Sequence, residues 1–202
     1  MILRISSKNK YLARIELDYV CWGILPIKQL SSLYPAEYEG EISDSEAAEL
    51  IQMLKDYAFN LLVKYLVKEE HSQHQCALFL HRKGFCPEII QNAVNRCLNL
   101  NYINDQRFAE LLISSYINRK ASKRAIIAKL SANRIPINIW KPLLEKLYTE
   151  EEKNSNLEEL LNKYYLAHKD LPPEKLKERA FGYLYRKGFD PDDIREAIEN
   201  FP

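Results

Sequence analysis

The 202-residue chain is 47% hydrophobic and 28% charged, with a formal net charge of +1, the composition of a folded protein with ample material for a core. No apolar run approaches the roughly 18 residues a membrane span needs, and Arg4, Lys8 and Lys10 interrupt the stretch where a secretory signal would be apolar. A soluble cytoplasmic protein without membrane contact is therefore expected. The four cysteines, Cys21, Cys76, Cys86 and Cys97, lack a C-x-x-C spacing and sit among apolar residues, so reduced thiols are expected rather than disulfides.

From the N-terminus, Ile2 to Ser6 and Leu12 to Leu17 are short, partly alternating segments around Ser7-Lys8-Asn9-Lys10, the pattern of a β-hairpin. Tyr34 to Ser45 is polar and acidic and reads as a loop. Ser43, with Glu46 three residues on, forms a capping box that opens a leader helix through Leu54. Residues 1–54 are thus an N-terminal leader.

Beyond it, helical apolar faces recur in three rounds with a period of about 50 residues, three helices each. In the first (residues 55–101), Ala58, Leu61, Leu62 and Tyr65 form one face. Cys76, Phe79 and Leu80 form the next, and Ile89, Ala93, Val94 and Cys97 the third. The second (102–150) carries Phe108, Leu111, Leu112, then Ile126, Ile127, Leu130, then Ile139, Trp140, Leu143, Leu144. The third (155–202) carries Leu157, Leu160, Leu161, then Leu176, Ala180, Leu184, then Ile194, Ala197, Ile198. Ser72, Ser122, Asn104-Asp105 and Pro172-Pro173 mark helix starts, and Glu150 to Ser155 reads as a solvated link.

Two of the five glycines stand in one repeated tetrapeptide, Arg82-Lys83-Gly84-Phe85 and Arg186-Lys187-Gly188-Phe189, each followed after one residue by Pro. The physics is the same in both. Basic residues suit the negative end of a helix, Gly takes the left-handed position after it, Phe folds back on the last turn, and Pro opens the next helix. Asn133-Arg134-Ile135-Pro136 is a copy without Gly, in which Asn133 or Arg134 is expected to be left-handed. The whole reads as an all-α fold, a tandem array of three three-helix repeats, elongated and curved, behind a short leader containing the hairpin.

Charge is unevenly spread. Residues 72–148 hold 12 Lys+Arg against 4 Asp+Glu, whereas residues 1–71 hold 8 against 11 and residues 149–202 hold 9 against 13. Arg119, Lys120, Lys123, Arg124 and Lys129 cluster near one helix junction, preceded by Arg107, and no acid lies between Glu110 and Glu145. With Arg82, Lys83, Arg186 and Lys187 at the tetrapeptides, these are the candidate binding residues. Lys and Arg in this pattern complement phosphate or an acidic protein groove and give salt-sensitive, sequence-independent binding.

Reactive constellations are not found. The sequence has no Gly-rich phosphate loop, H-E-x-x-H or G-x-S-x-G, and Glu158-Glu159 and Asp192-Asp193 lie in polar helix ends where a solvated face explains them. His71, His74, Cys76 and His81 do not match a metal-ligand spacing and read as core or surface residues. Tyr57, Tyr65, Tyr164 and Tyr183 fall at helical spacing and read as packing between helices. No catalytic residue, metal or cofactor is expected.

The tetrapeptides, together with Tyr102-Ile103-Asn104-Asp105-Gln106-Arg107-Phe108-Ala109, resemble the RecX family over roughly Ala58 to Pro202. Asn101 stands where that family usually has Gly. The family's Gly before Ser is missing from Lys120-Ala121-Ser122-Lys123-Arg124, and its later K-G-[IV] turn is altered to Asn133-Arg134-Ile135. The resemblance implies three-helix repeats, a non-enzymatic monomer, and binding in the groove of a RecA filament on single-stranded DNA, where recombinase activity is limited. A helix-turn-helix DNA reader and a protein-only helical scaffold are the rivals. The first needs base-competent side chains early in one helix, which Ile89 to Asn92 and Ile137 to Trp140 hardly supply; the second needs no basic centre.

Overall fold

The computed structural model describes residues 1–201 and divides into two compact units, Met1–Asn104 and the chain from Asp105 on. The first is not all-helical. Strands β1 (Ile2–Ser7), β2 (Leu12–Leu17), β3 (Val20–Pro26) and β4 (Tyr38–Glu41) form an antiparallel sheet in the order β3-β2-β1-β4. The expected hairpin is β1–β2, with Leu3 opposite Leu17 and Ile5 opposite Ile15. Leu3, Ile5, Ala13, Ile15 and Leu17 are buried while Arg4 and Arg14 are exposed, so the period of two places one face on the core.

Two strands add to the expected hairpin: β3 lies where no element is expected from the sequence, and β4 corrects the loop expected over Tyr34 to Ser45. β3, which leads into the one-turn helix α1 (Ile27–Leu30), carries Gly23, Ile24 and Leu25 buried in succession opposite a bulge at Ile15/Glu16. That irregularity hides its alternation. β4 pairs with β1 inside the expected acidic loop; it is a short, charged edge strand, the kind that resists further pairing.

The capping box forms as expected: Ser43 Oγ accepts from Glu46 N at 3.3 Å, and Glu46 Oε2 accepts from Ser43 N at 2.8 Å. The helix it opens does not stop at Leu54. α2 runs unbroken from Asp44 to Leu66, because Leu50, Leu54, Ala58 and Leu62 keep one apolar face in register along its length. With α3 (Gln73–Lys83) and α4 (Pro87–Asn99) it closes one core together with the sheet. Cys86 N donates to Trp22 O at 3.1 Å and Lys8 Nζ to Lys83 O at 3.1 Å, tying the α3–α4 turn to the strands.

The second unit is helical throughout. α5 (Asp105–Asn118), α6 (Lys123–Ala132) and α7 (Ile137–Leu147) share a core that includes Phe108, Ile113, Ile126, Leu130, Trp140 and Leu144. α8 (Glu150–Ala167), α9 (Pro173–Arg186) and α10 (Pro191–Glu199) share another, with Leu157, Leu161, Leu184, Phe189 and Ile194. The stretch expected as a link is the start of α8. Thr149 caps it, and Glu150, Glu151 and Glu152 sit in its first turn, where acids suit the helix dipole. Gly84 and Gly188 have φ of 100° and 87°, and Arg134 supplies the third left-handed turn at 53°, all as expected. Among the described residues no helix is long and apolar enough to cross a membrane.

Candidate nucleic-acid interface

The second unit brings together basic residues that lie more than 60 positions apart in the sequence. After α5, Lys120 takes a left-handed φ of 59°, and Ala121 N returns to Tyr116 O at 3.0 Å. That places Ser122 as the extended residue before α6. Its hydroxyl accepts from Ala125 N at 3.2 Å and donates to Lys187 O at 2.8 Å. Ser122 thus caps α6 and clamps the α9–α10 turn with one oxygen. The approach is close enough that a Cβ on Gly188 would lie 2.9 Å from Ser122 Oγ. Arg124, in the first turn of α6, consequently stands beside Arg186 and Lys187 at the end of α9, and Lys123 next to it borders a pocket that also holds Glu150, Asp190 and Asp193. All four cations are exposed, and a cleft lined by Arg124, Ala125, Ala128, Tyr185, Arg186, Lys187 and Gly188 runs between the two turns.

Among the described residues none of these four cations is in an ion pair. The nearby acids are already engaged. Lys153 holds both Glu150 and Asp193 at 2.6 Å, and Asp190 Oδ1 accepts from Asp192 N at 2.9 Å as the cap of α10. The four cations are therefore left without a carboxylate in ion-pair contact among the described residues.

The rest of the candidate set is distributed differently. Lys120 Nζ lies 2.8 Å from Glu159 of α8, whose other oxygen takes Lys163 at 2.6 Å. The two ammonium groups donating to Glu159 pull its carboxyl from the ordinary value near 4.5 down to about 2. Lys120 is an internal tie. Arg119 is exposed and lies 5.9 Å from the Tyr116 ring centre, and Lys129 is exposed in the last turn of α6. Arg107 is half-buried on α5 and already engaged. Arg82 and Lys83 are exposed at the end of α3 in the first unit, with Lys83 Nζ 5.3 Å from the Phe79 ring centre.

The tyrosines expected to pack between helices do so. Tyr65 stacks on both His71 at 3.7 Å and Phe79 at 4.2 Å, Tyr57 lies against Phe85, and Tyr164 stacks on Tyr183 at 4.9 Å. Tyr185, which the charge pattern does not single out, is 53% exposed at the cleft. The sequence does carry a signal for it: Ala180 and Leu184 mark the inward face of α9, and Tyr185 falls off it, next to Arg186.

Residues 150–198 match the family model described as RecX, third three-helix domain. Regulatory protein RecX of Caldanaerobacter subterraneus subsp. tengcongensis is 26% identical, over 98% of this chain and 96% of that protein. Regulatory protein RecX of Syntrophotalea carbinolica is 28% identical, over 65% of this chain and 88% of its own. A crystal structure of regulatory protein RecX superposes with a TM-score of 0.70 at 18% identity, covering 98% of this chain and 99% of that one, and so shares the fold. With the tetrapeptide turns and the left-handed helix ends, these matches make the chain similar to the RecX family of regulatory proteins.

Proposed function

We propose that this chain regulates a RecA recombinase as a monomer in the cytoplasm, binding the nucleoprotein filament and limiting its activity. Its helical part acts as a tandem array of three-helix repeats, α2–α4, α5–α7 and α8–α10, in place of the expected bounds 55–101, 102–150 and 155–202. Similarity to the RecX family supports the regulatory role. The observation that carries the binding reading is the Ser122–Lys187 hydrogen bond, which brings Arg186 and Lys187 beside Arg124, with Lys123 next to it and none of the four in an ion pair among the described residues. Arg119 and Lys129 extend it, Arg82 and Lys83 offer a second basic turn in the first unit, and Arg107 and Lys120 contribute through position rather than free charge. Phosphate contacts of this kind release counterions, so binding is salt-sensitive and sequence-independent.

The test replaces Lys123, Arg124, Arg186 and Lys187 by Ala. The variant is expected to bind single-stranded DNA more weakly, with the logarithmic salt slope reduced by about 0.7 for each phosphate that is no longer neutralised. It is expected to inhibit ATP hydrolysis by RecA on single-stranded DNA less than the parent chain does, while its melting temperature stays close to the parent value, because exposed charges contribute only about 0–1 kcal/mol to folding. An unchanged salt slope would reassign the face to an acidic protein surface.

A further inference from the structure

We propose that Tyr185 is a stacking platform for an unpaired nucleobase, so that the face around Ser122 takes one strand of nucleic acid, a base on the ring and the flanking phosphates on Arg124, Arg186 and Lys187. The inference rests on the polyanion reading above and adds a base contact to its phosphate contacts. Tyr185 is the next-to-last residue of α9, one before Arg186. Ala180 and Leu184 of the same helix are fully buried, whereas the Tyr185 ring is 53% exposed. Its ring neighbour is Phe181, at 6.3 Å and nearly parallel, 8° between planes.

The ring is thus open to a ligand beside the basic turn. The cleft it borders is lined by Ala125 and Ala128, whose methyl groups leave room for a flat ring, and by Arg124 and Lys187. An acidic peptide would use the cations and leave the ring exposed. A duplex presents bases whose faces are already stacked. A single strand offers both a free base face and phosphates on either side of it, and stacking of this kind tolerates any base.

The experiment uses the full chain and two labelled strands of equal length, oligo(dT) and the same sugar–phosphate backbone without bases, with affinity read by fluorescence anisotropy. The parent chain is expected to bind oligo(dT) more tightly than the abasic strand. Tyr185→Ala should weaken oligo(dT) binding about tenfold, the scale of removing one stacked ring, and leave the abasic strand unchanged. Tyr185→Trp should keep the preference. Equal parent affinity for the two strands, an unaffected Tyr185→Ala variant, or equal weakening on both strands would each overturn the stacking role. So would polyglutamate displacing the chain as effectively as oligo(dT), which would assign the face to an acidic protein. If stacking fails while binding still falls on replacing Arg124, Arg186 and Lys187, the polyanion reading stands; a parent chain that binds neither strand overturns both.

Discussion

At its helix ends the chain uses a glycine in the left-handed conformation twice, at Gly84 and Gly188, and a side chain three times, at Asn101, Lys120 and Arg134. A Cβ there costs about 1 kcal/mol, least for Asn. Arg134 is exposed, and in its turn Arg134 N donates to Ser131 O at 2.9 Å while Asn133 Nδ2 donates to Lys129 O at 2.8 Å. Arg134→Gly should therefore raise unfolding free energy by about 0.5–1 kcal/mol in a denaturant titration. Gly188→Ala should act the other way, losing about 1–3 kcal/mol, since backbone strain combines with crowding against Ser122 Oγ at 2.9 Å. The two glycine turns are legible in the sequence because Gly, Phe and Pro stand in fixed order; Lys120 is not, because nothing local marks it as left-handed. Glu159 gives a residue-scale pH effect. Its folded-state pKa, about 2, lies below its unfolded value near 4.5, so its contribution is present above 4.5 and lost as the pH falls toward 2. Lys120→Met should shrink the acid-induced fall in melting temperature across that window; an identical fall in both proteins would count against the tie.

Among the elements, α2 and the sheet show what periodicity reveals and what it conceals. Leu50, Leu54, Ala58 and Leu62 announce one continuous helix, and a boundary at Leu54 has no Gly or Pro to support it. β4 is hidden because Tyr38-Glu39-Gly40-Glu41 has almost no strand propensity of its own and is held by pairing with β1, where Glu39 stands opposite Arg4. α2 carries part of the first unit's core along its length. Leu54 is fully buried, and Leu54→Ala should cost about 2–5 kcal/mol by chemical denaturation. Thiol reactivity sorts the elements in another way. All four cysteines are free, Cys76 and Cys97 are buried in α3 and α4, and burial pushes the Cys97 thiol up to about 11. A thiol reagent near neutral pH should label the half-buried Cys21 and Cys86 first, and Cys76 and Cys97 only on unfolding.

For the whole molecule, the basic centre seen as one run in sequence is sorted by tertiary contact. Lys120 is turned inward to Glu159, Arg107 is already engaged, and Arg186 and Lys187 from an acidic third of the chain join Arg124. No spacing rule could have paired them, because the link is one hydroxyl and one carbonyl 65 residues apart. That link also sets how the second unit breathes. The Ser122 oxygen serves the Ala125 amide and the Lys187 carbonyl together, so an opening at the α9–α10 turn loosens the first turn of α6 in the same event. In native-state hydrogen exchange the amides of Ala125 and Phe189, the latter bonded to Leu184 O, should share one opening free energy in the parent chain and separate in Ser122→Gly, making a pair of backbone protons a gauge of any ligand that seats between the two turns.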